Sequence, residues 1–178
     1  MIYRYGEFAP EIDPSAFVSE SATIIGQVKI AADCFIGPGA VIRADCGKPI
    51  EIGYGTAVED GVIIHVGGSR AVSCYIGERV TIGHGAIVHC SKLGDNANVG
   101  MGAVLSLFSE IGEYAVIAEG AVVKQGQVIE PRVVVGGAPA RVLRPLLDRD
   151  IESWDRSKAW YIDLVRKYKT PGMLERID

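Results

Sequence analysis

The chain holds 178 residues with a formal net charge of −4, and 48% of them are hydrophobic. That length and balance fit one globular domain with a terminal appendage; with no basic cluster or aromatic-rich platform, they exclude an electrostatic hold on nucleic acid. Every apolar run breaks at Gly, Pro or a polar residue well short of the ~20 residues a membrane helix needs. The opening "MIYRYGEFAPEID" lacks a signal peptide's apolar segment, so a cytoplasmic protein without a membrane partner is expected.

Residues 1–11 read as an N-terminal segment ahead of a repeat that runs from 12 to 140. Aliphatic residues recur every six positions: Ile12, Val18, Ile24, Ile30, Ile36 and Ile42, then, after an insertion around "GKP", Ile52, Val58 and Ile64. One hexad is replaced by "VGGSRAVSCY". Ile76, Ile82 and Val88 follow, and a slip of one residue leads to Leu93, Val99, Leu105, Ile111, Ile117, Val123, Ile129 and Val135. Gly often follows the anchor, as at Gly37, Gly77 and Gly100, and a small residue such as Ala40, Thr56 or Ala103 usually stands four places after it. A helix would need 3.6-residue spacing and would suffer from so much Gly and β-branching. A period of six suits short strands joined by tight turns, three to a coil, with coils ~4.8 Å apart. The expected fold is an all-β solenoid, a parallel β-helix of roughly seven coils with aliphatic ladders inside.

The tail, 141–178, changes character. "LLDRDIESWDRSKAWYIDLVRKYK" is charge-rich, with Ile151, Trp154, Tyr161, Val165 and Tyr168 near helical spacing. It predicts an amphipathic α-helix that caps the prism or packs along a neighbouring subunit, its aromatic stripe serving as packing surface.

The four cysteines, Cys34, Cys46, Cys74 and Cys90, form no CxxC pair and read as buried free thiols. The three histidines are more informative, since all fall within 65–89. His65 follows Ile64 and His89 follows Val88, so both point outward from the prism, while His84 approaches a corner. If the excursion after His65 stands in for a hexad, His65 and His84 stack in adjacent coils and His89 lies around the corner. Imidazoles on two faces meet on one ion only if a second prism docks there, as in a cyclic trimer. Three imidazoles with an open fourth position is the donor set of a catalytic zinc. The spacing also leaves open a single histidine acting as the base of an acyltransferase, or polar surface without chemistry.

The runs "VIRADCGKPIEIGYGTAVEDGVIIH", "IGERVTIGHGAIVHC", "LGDNANVGMGAVL" and "GGAPARVLR" resemble the γ-class carbonic anhydrases and their hexapeptide-repeat homologues over about 10–145. The resemblance implies a left-handed parallel β-helix and a homotrimer. It implies His65 and His89 of one subunit and His84 of its neighbour as metal ligands, with Zn the expected ion and iron or cobalt alternatives. It places Arg43, Asp45 and Asp60 in a charge network near the interface, where a structural salt bridge is the plainer reading of Arg43 and Asp45. Glu59 stands where the family commonly has glutamine, either positioning the nucleophile by accepting a hydrogen bond or acting as a base. The implied reaction is reversible hydration of CO2 to bicarbonate by a metal-activated water. Departures are Cys46, Ala57 and a short "VGGSRAVSC" turn with no carboxylate to export protons. Alternatives therefore stand beside it: a metal-dependent acyl-CoA thioesterase, a hexapeptide acyltransferase, and a metal-binding scaffold subunit with little turnover.

Overall fold

A strand of two residues holds only if neighbouring backbone completes its hydrogen bonds, and here the adjacent coils supply it. The structure, a computed structural model, describes residues 1–67 and 72–177. Its strands form three sheets that wall a prism. The first face has seven strands from Ile2–Tyr3 to Val122–Val123, and the second seven from Glu11–Ile12 to Val128–Ile129. The third has eight, beginning at Phe17–Val18 and ending at Arg141–Pro145. All pairings are parallel except the last, where Arg141–Pro145 folds back antiparallel on Val133–Gly136. The expected β-solenoid with one C-terminal helix is what forms.

The six-residue anchors stack in register. On the first face Ile24, Ile42, Ile64, Val88, Leu105 and Val123 lie one above the other, each fully buried. Burying each such side chain stabilises the prism by about 1.5–3 kcal/mol before the entropy cost of ordering it. The Gly after the anchor has a steric cause: a Cβ on Gly94 would come within 2.6 Å of the Glu113 backbone nitrogen in the next coil.

The reading of "VGGSRAVSCY" as a substitute hexad is corrected by the register. Ile64 ends a first-face strand and Ile76 ends a second-face strand, so the segment is an insertion at one corner; its 68–71 portion lies outside the described residues. The insertion around "GKP", between Val41–Ala44 and Ile50–Ile52, leaves from that same corner, and so does the chain between Ile2–Tyr3 and Glu11–Ile12.

The helix α1, Asp148–Tyr168, neither caps the prism nor leaves it; it runs along the third face of its own chain. Acidic Asp148 and Asp150 in its first turn and basic Arg166 and Lys167 in its last complement the helix dipole. Tyr161 and Tyr168 pack on Phe17 and Phe35, and Lys169 at its end donates to the carbonyls of Pro14 and Ala16. Cys34, Cys74 and Cys90 are buried free thiols as expected, but Cys46, on the insertion corner, is exposed.

Candidate functional site

The corner insertion decides which histidines meet. Because six extra residues enter after His65, Ile64 pairs with Val88, twenty-four positions on, and the residues following these anchors are His65 and His89. They, and not His65 and His84, stack in adjacent coils. Their rings lie 4.9 Å apart between centroids and 14° from parallel, with His65 Nδ1 3.1 Å from His89 Nε2. His84 follows the third-face strand Thr81–Ile82 and sits at the opposite border of the first face. Among the described residues no three His, Cys, Asp or Glu side chains of one chain gather into a metal-holding group.

Each half has its own charged supports. Arg43 occupies the position below His65 and pairs with Asp45 at 2.7 Å, as the structural reading of that pair expects. Asp45 Oδ1 in turn lies 3.7 Å from His65 Nε2. Burial opposes the charge on Asp45, but the hydrogen bond and charge of Arg43 outweigh it and hold the carboxyl below its usual range. Burial, then Arg43, then the neighbouring His89 lower the pKa of His65; burial and Arg43 lower that of His89. Both shifts favour the neutral imidazole, the form that can ligate a metal, and in the single chain one of these two nitrogens serves the other as a hydrogen-bond partner.

At the other border, Glu59 is nearly buried and accepts the His84 backbone N–H at 3.1 Å, with His84 Nε2 also at 3.1 Å. Asp60 lies 3.6 Å from His84 Nδ1. Within one chain, among the described residues, no ion pair joins this border to the Arg43–Asp45 pair.

The donor set fits a metal. Two nitrogens each ~2.05 Å from a tetrahedral zinc stand ~3.3 Å apart, close to the 3.1 Å between His65 and His89. A groove of about 420 Å³ runs from this pair past Ile63, Ile87 and Val104 to Leu107 and Gln125. The same face carries a ladder of β-branched residues, with Ile63 42% and Ile87 43% exposed.

No family model matches the chain. Curated relatives do. It is 37% identical over 94% of its length to the carnitine operon protein CaiE of Salmonella agona, covering 83% of that protein. It is 38% identical over 95% of its length to a carbonic anhydrase of Geobacillus kaustophilus, covering 91% of it. The γ carbonic anhydrase 2 of Arabidopsis thaliana mitochondria is 36% identical over 89% of this chain, which spans 58% of that relative. The chain belongs to the γ-carbonic anhydrase-like hexapeptide-repeat family. Among solved structures, the crystal structure of a hexapeptide transferase family protein from Anaplasma phagocytophilum has a TM-score of 0.87 at 34% identity, over 94% of this chain and 97% of that one.

For a γ-carbonic anhydrase-like chain, two features went unread in the sequence. Tyr161 of α1, expected only to pack, also donates its hydroxyl to Glu59 Oε1 at 2.6 Å. Burial, then the Glu59 hydrogen bond and charge, push the phenol above its ordinary pKa, so it remains a donor throughout the neutral range. Gly67 lies against the His65 imidazole, where a Cβ would stand 2.6 Å from Nε2. Nothing in a periodic sequence links a tail tyrosine to Glu59, a hundred residues upstream, whereas the glycine two places after His65 was visible without a meaning.

Proposed function

We propose that this protein is a metal-dependent enzyme hydrating CO2 to bicarbonate, its ion held between copies of the chain by His65 and His89 of one and His84 of the next. The observation that carries this is the split of the histidines: a two-nitrogen pair at one border of the first face and a carboxylate-supported imidazole at the other. A patch that must meet a different patch of its neighbour generates a closed ring when the rotation allows, and three copies give a homotrimer. The uncovered Ile63 and Ile87 support a second copy on this face.

When bound, zinc, or iron or cobalt in its place, would lower the pKa of a water and supply hydroxide at neutral pH. The chain's own residues prepare the site. Arg43 and the partly dry surroundings keep His65 and His89 neutral, and Gly67 leaves room for the His65 ring. Glu59 has its two oxygens occupied by Tyr161 and His84, which supports a role in positioning that imidazole rather than in taking protons. Asp60, half exposed, faces the other nitrogen of His84.

One observation favours a second reading. The groove of about 420 Å³ falls in the range of small-molecule pockets and extends beyond what CO2 needs, so an acyl thioester is the rival substrate. The solved neighbour's description as a hexapeptide transferase family protein is compatible with group transfer. The test is CO2 hydration and acyl-CoA hydrolysis measured on the same zinc-loaded preparation. CO2 hydration that is lost on chelation and restored by metal supports the proposal; thioester hydrolysis alone supports the rival, activity indifferent to chelator an acyltransferase, and no turnover at full metal occupancy a scaffold.

A further inference from the structure

The third face of the prism is covered by α1, whose Lys158 is buried against Asn98, and the first carries the candidate site. No described element covers the second. Its strands pair in unbroken register, so the outward residues of successive coils form one ladder: Lys29, Glu51, Tyr75, Lys92 and Glu110. Glu11 precedes this run and Val128 ends it. All are exposed, Tyr75 by 50%. Beside the ladder Gly53, Gly77, Gly94 and Gly112 leave a trough of about 590 Å³. Coils ~4.8 Å apart set each lysine next to a glutamate. Yet among the described residues none of these lysines and glutamates closes an ion pair within the chain.

The order of the charges is self-complementary. Two such faces meeting about a two-fold axis along the strands run their coils in opposite order, with Tyr75 on Tyr75. Lys29 then faces Glu110 of the second copy, and Glu51 faces its Lys92; symmetry repeats both contacts. Other alignments fail. A slip of one coil in either direction sets Glu against Glu, and an axis along the stack sets every charge against its own kind, which like-charge repulsion opposes. We propose that the second face is a docking surface for a second copy of this chain, joined antiparallel about an axis at Tyr75 by Lys29–Glu110 and Glu51–Lys92 pairs between copies. The paired ladder spans only ~19 Å, short for a permanent interface, so the contact is reversible and depends on concentration. It joins single chains or the proposed trimers alike and does not rest on the reaction proposed above.

Sedimentation velocity on the full-length protein should show the mean mass rising with concentration in about 0.1 M salt. The rise should fade in about 1 M salt, where the screening length falls from ~10 to ~3 Å. Glu51→Lys and Lys92→Glu, each alone, set like charges against each other across the axis and should abolish the rise. Mixed in equal amounts, the two folded variants oppose lysines with glutamates, and the rise should return. A wild type no heavier than either variant, or a mixture no heavier than its components, overturns the proposal. So does growth that persists in both variants, which would belong to another surface. Should a reversal disturb folding, carbodiimide coupling of the wild type decides. Within one chain Lys29 and Glu110 stand four coils apart, ~19 Å, beyond the reach of a direct amide. A Lys29–Glu110 amide found by peptide mass spectrometry therefore reports the antiparallel contact, and its absence refutes it.

Discussion

Replacing Tyr161 with Phe removes one oxygen and leaves the ring on Phe35, 5.4 Å away between centroids. What is lost is the 2.6 Å hydrogen bond into Glu59, a carboxylate only 7% exposed. A hydrogen bond to a charged, poorly solvated acceptor contributes about 1.5–3 kcal/mol, because water cannot take the donor's place. For a chain of this size that corresponds to a fall in Tm of roughly 3–12 °C. Thermal unfolding of wild type and Tyr161→Phe at one fixed chain concentration measures it, since assembly is linked to stability. A second readout separates positioning from plain stability: Glu59 loosened from its donor should hold His84 less well, and metal affinity should fall by about 10–100-fold. A change in Tm below 1 °C together with unaltered metal affinity would refute the reasoning, showing that the phenol neither stabilises Glu59 nor acts through it.

Gly67→Ala places a methyl against the His65 ring; zinc affinity should drop about tenfold or more with little loss of fold, as titration with a competing chelator would report. Ile87→Glu puts a charge on the uncovered ladder of the first face, and analytical ultracentrifugation should find the trimer proposed for the wild type replaced by smaller species. The unfolded chain holds the Lys158 proton between pH about 7 and 10.5 while the folded chain does not, so this group makes stability rise with pH across that window. The slope is at most about 1.4 kcal/mol per unit. Urea unfolding at pH 7 and 8.5 should show the increase in wild type and not in Lys158→Met.

The fold was legible because an aliphatic residue every six positions leaves few architectures, and the stacked ladder from Ile24 to Val123 is that spacing made visible. The insertion after His65 was harder. Ten residues replacing a wall or bulging from a corner look alike in a string, and only the pairing of Ile64 with Val88 tells them apart. That one ambiguity exchanged the partners of His65. The helix was legible from its periodicity, but its place was not: Lys158 and Tyr161 look like one surface charge and one packing aromatic until the third face is drawn beneath them. The strand Ile2–Tyr3 and the antiparallel return of Arg141–Pro145 are too short to announce themselves; neighbouring backbone, not propensity, creates them.

The shared site is tested most directly by mixing two broken proteins. His84→Ala and His89→Ala chains, each purified free of metal, are unfolded together in equal amounts, refolded with zinc and analysed for bound metal. If an ion needs His84 from one copy and the His65–His89 pair from another, random assembly leaves roughly a quarter of the interfaces whole. That fraction of metal should return, while each variant refolded alone holds none. Full metal retention by His84→Ala alone, or no recovery in a mixture that assembles normally, would contradict it.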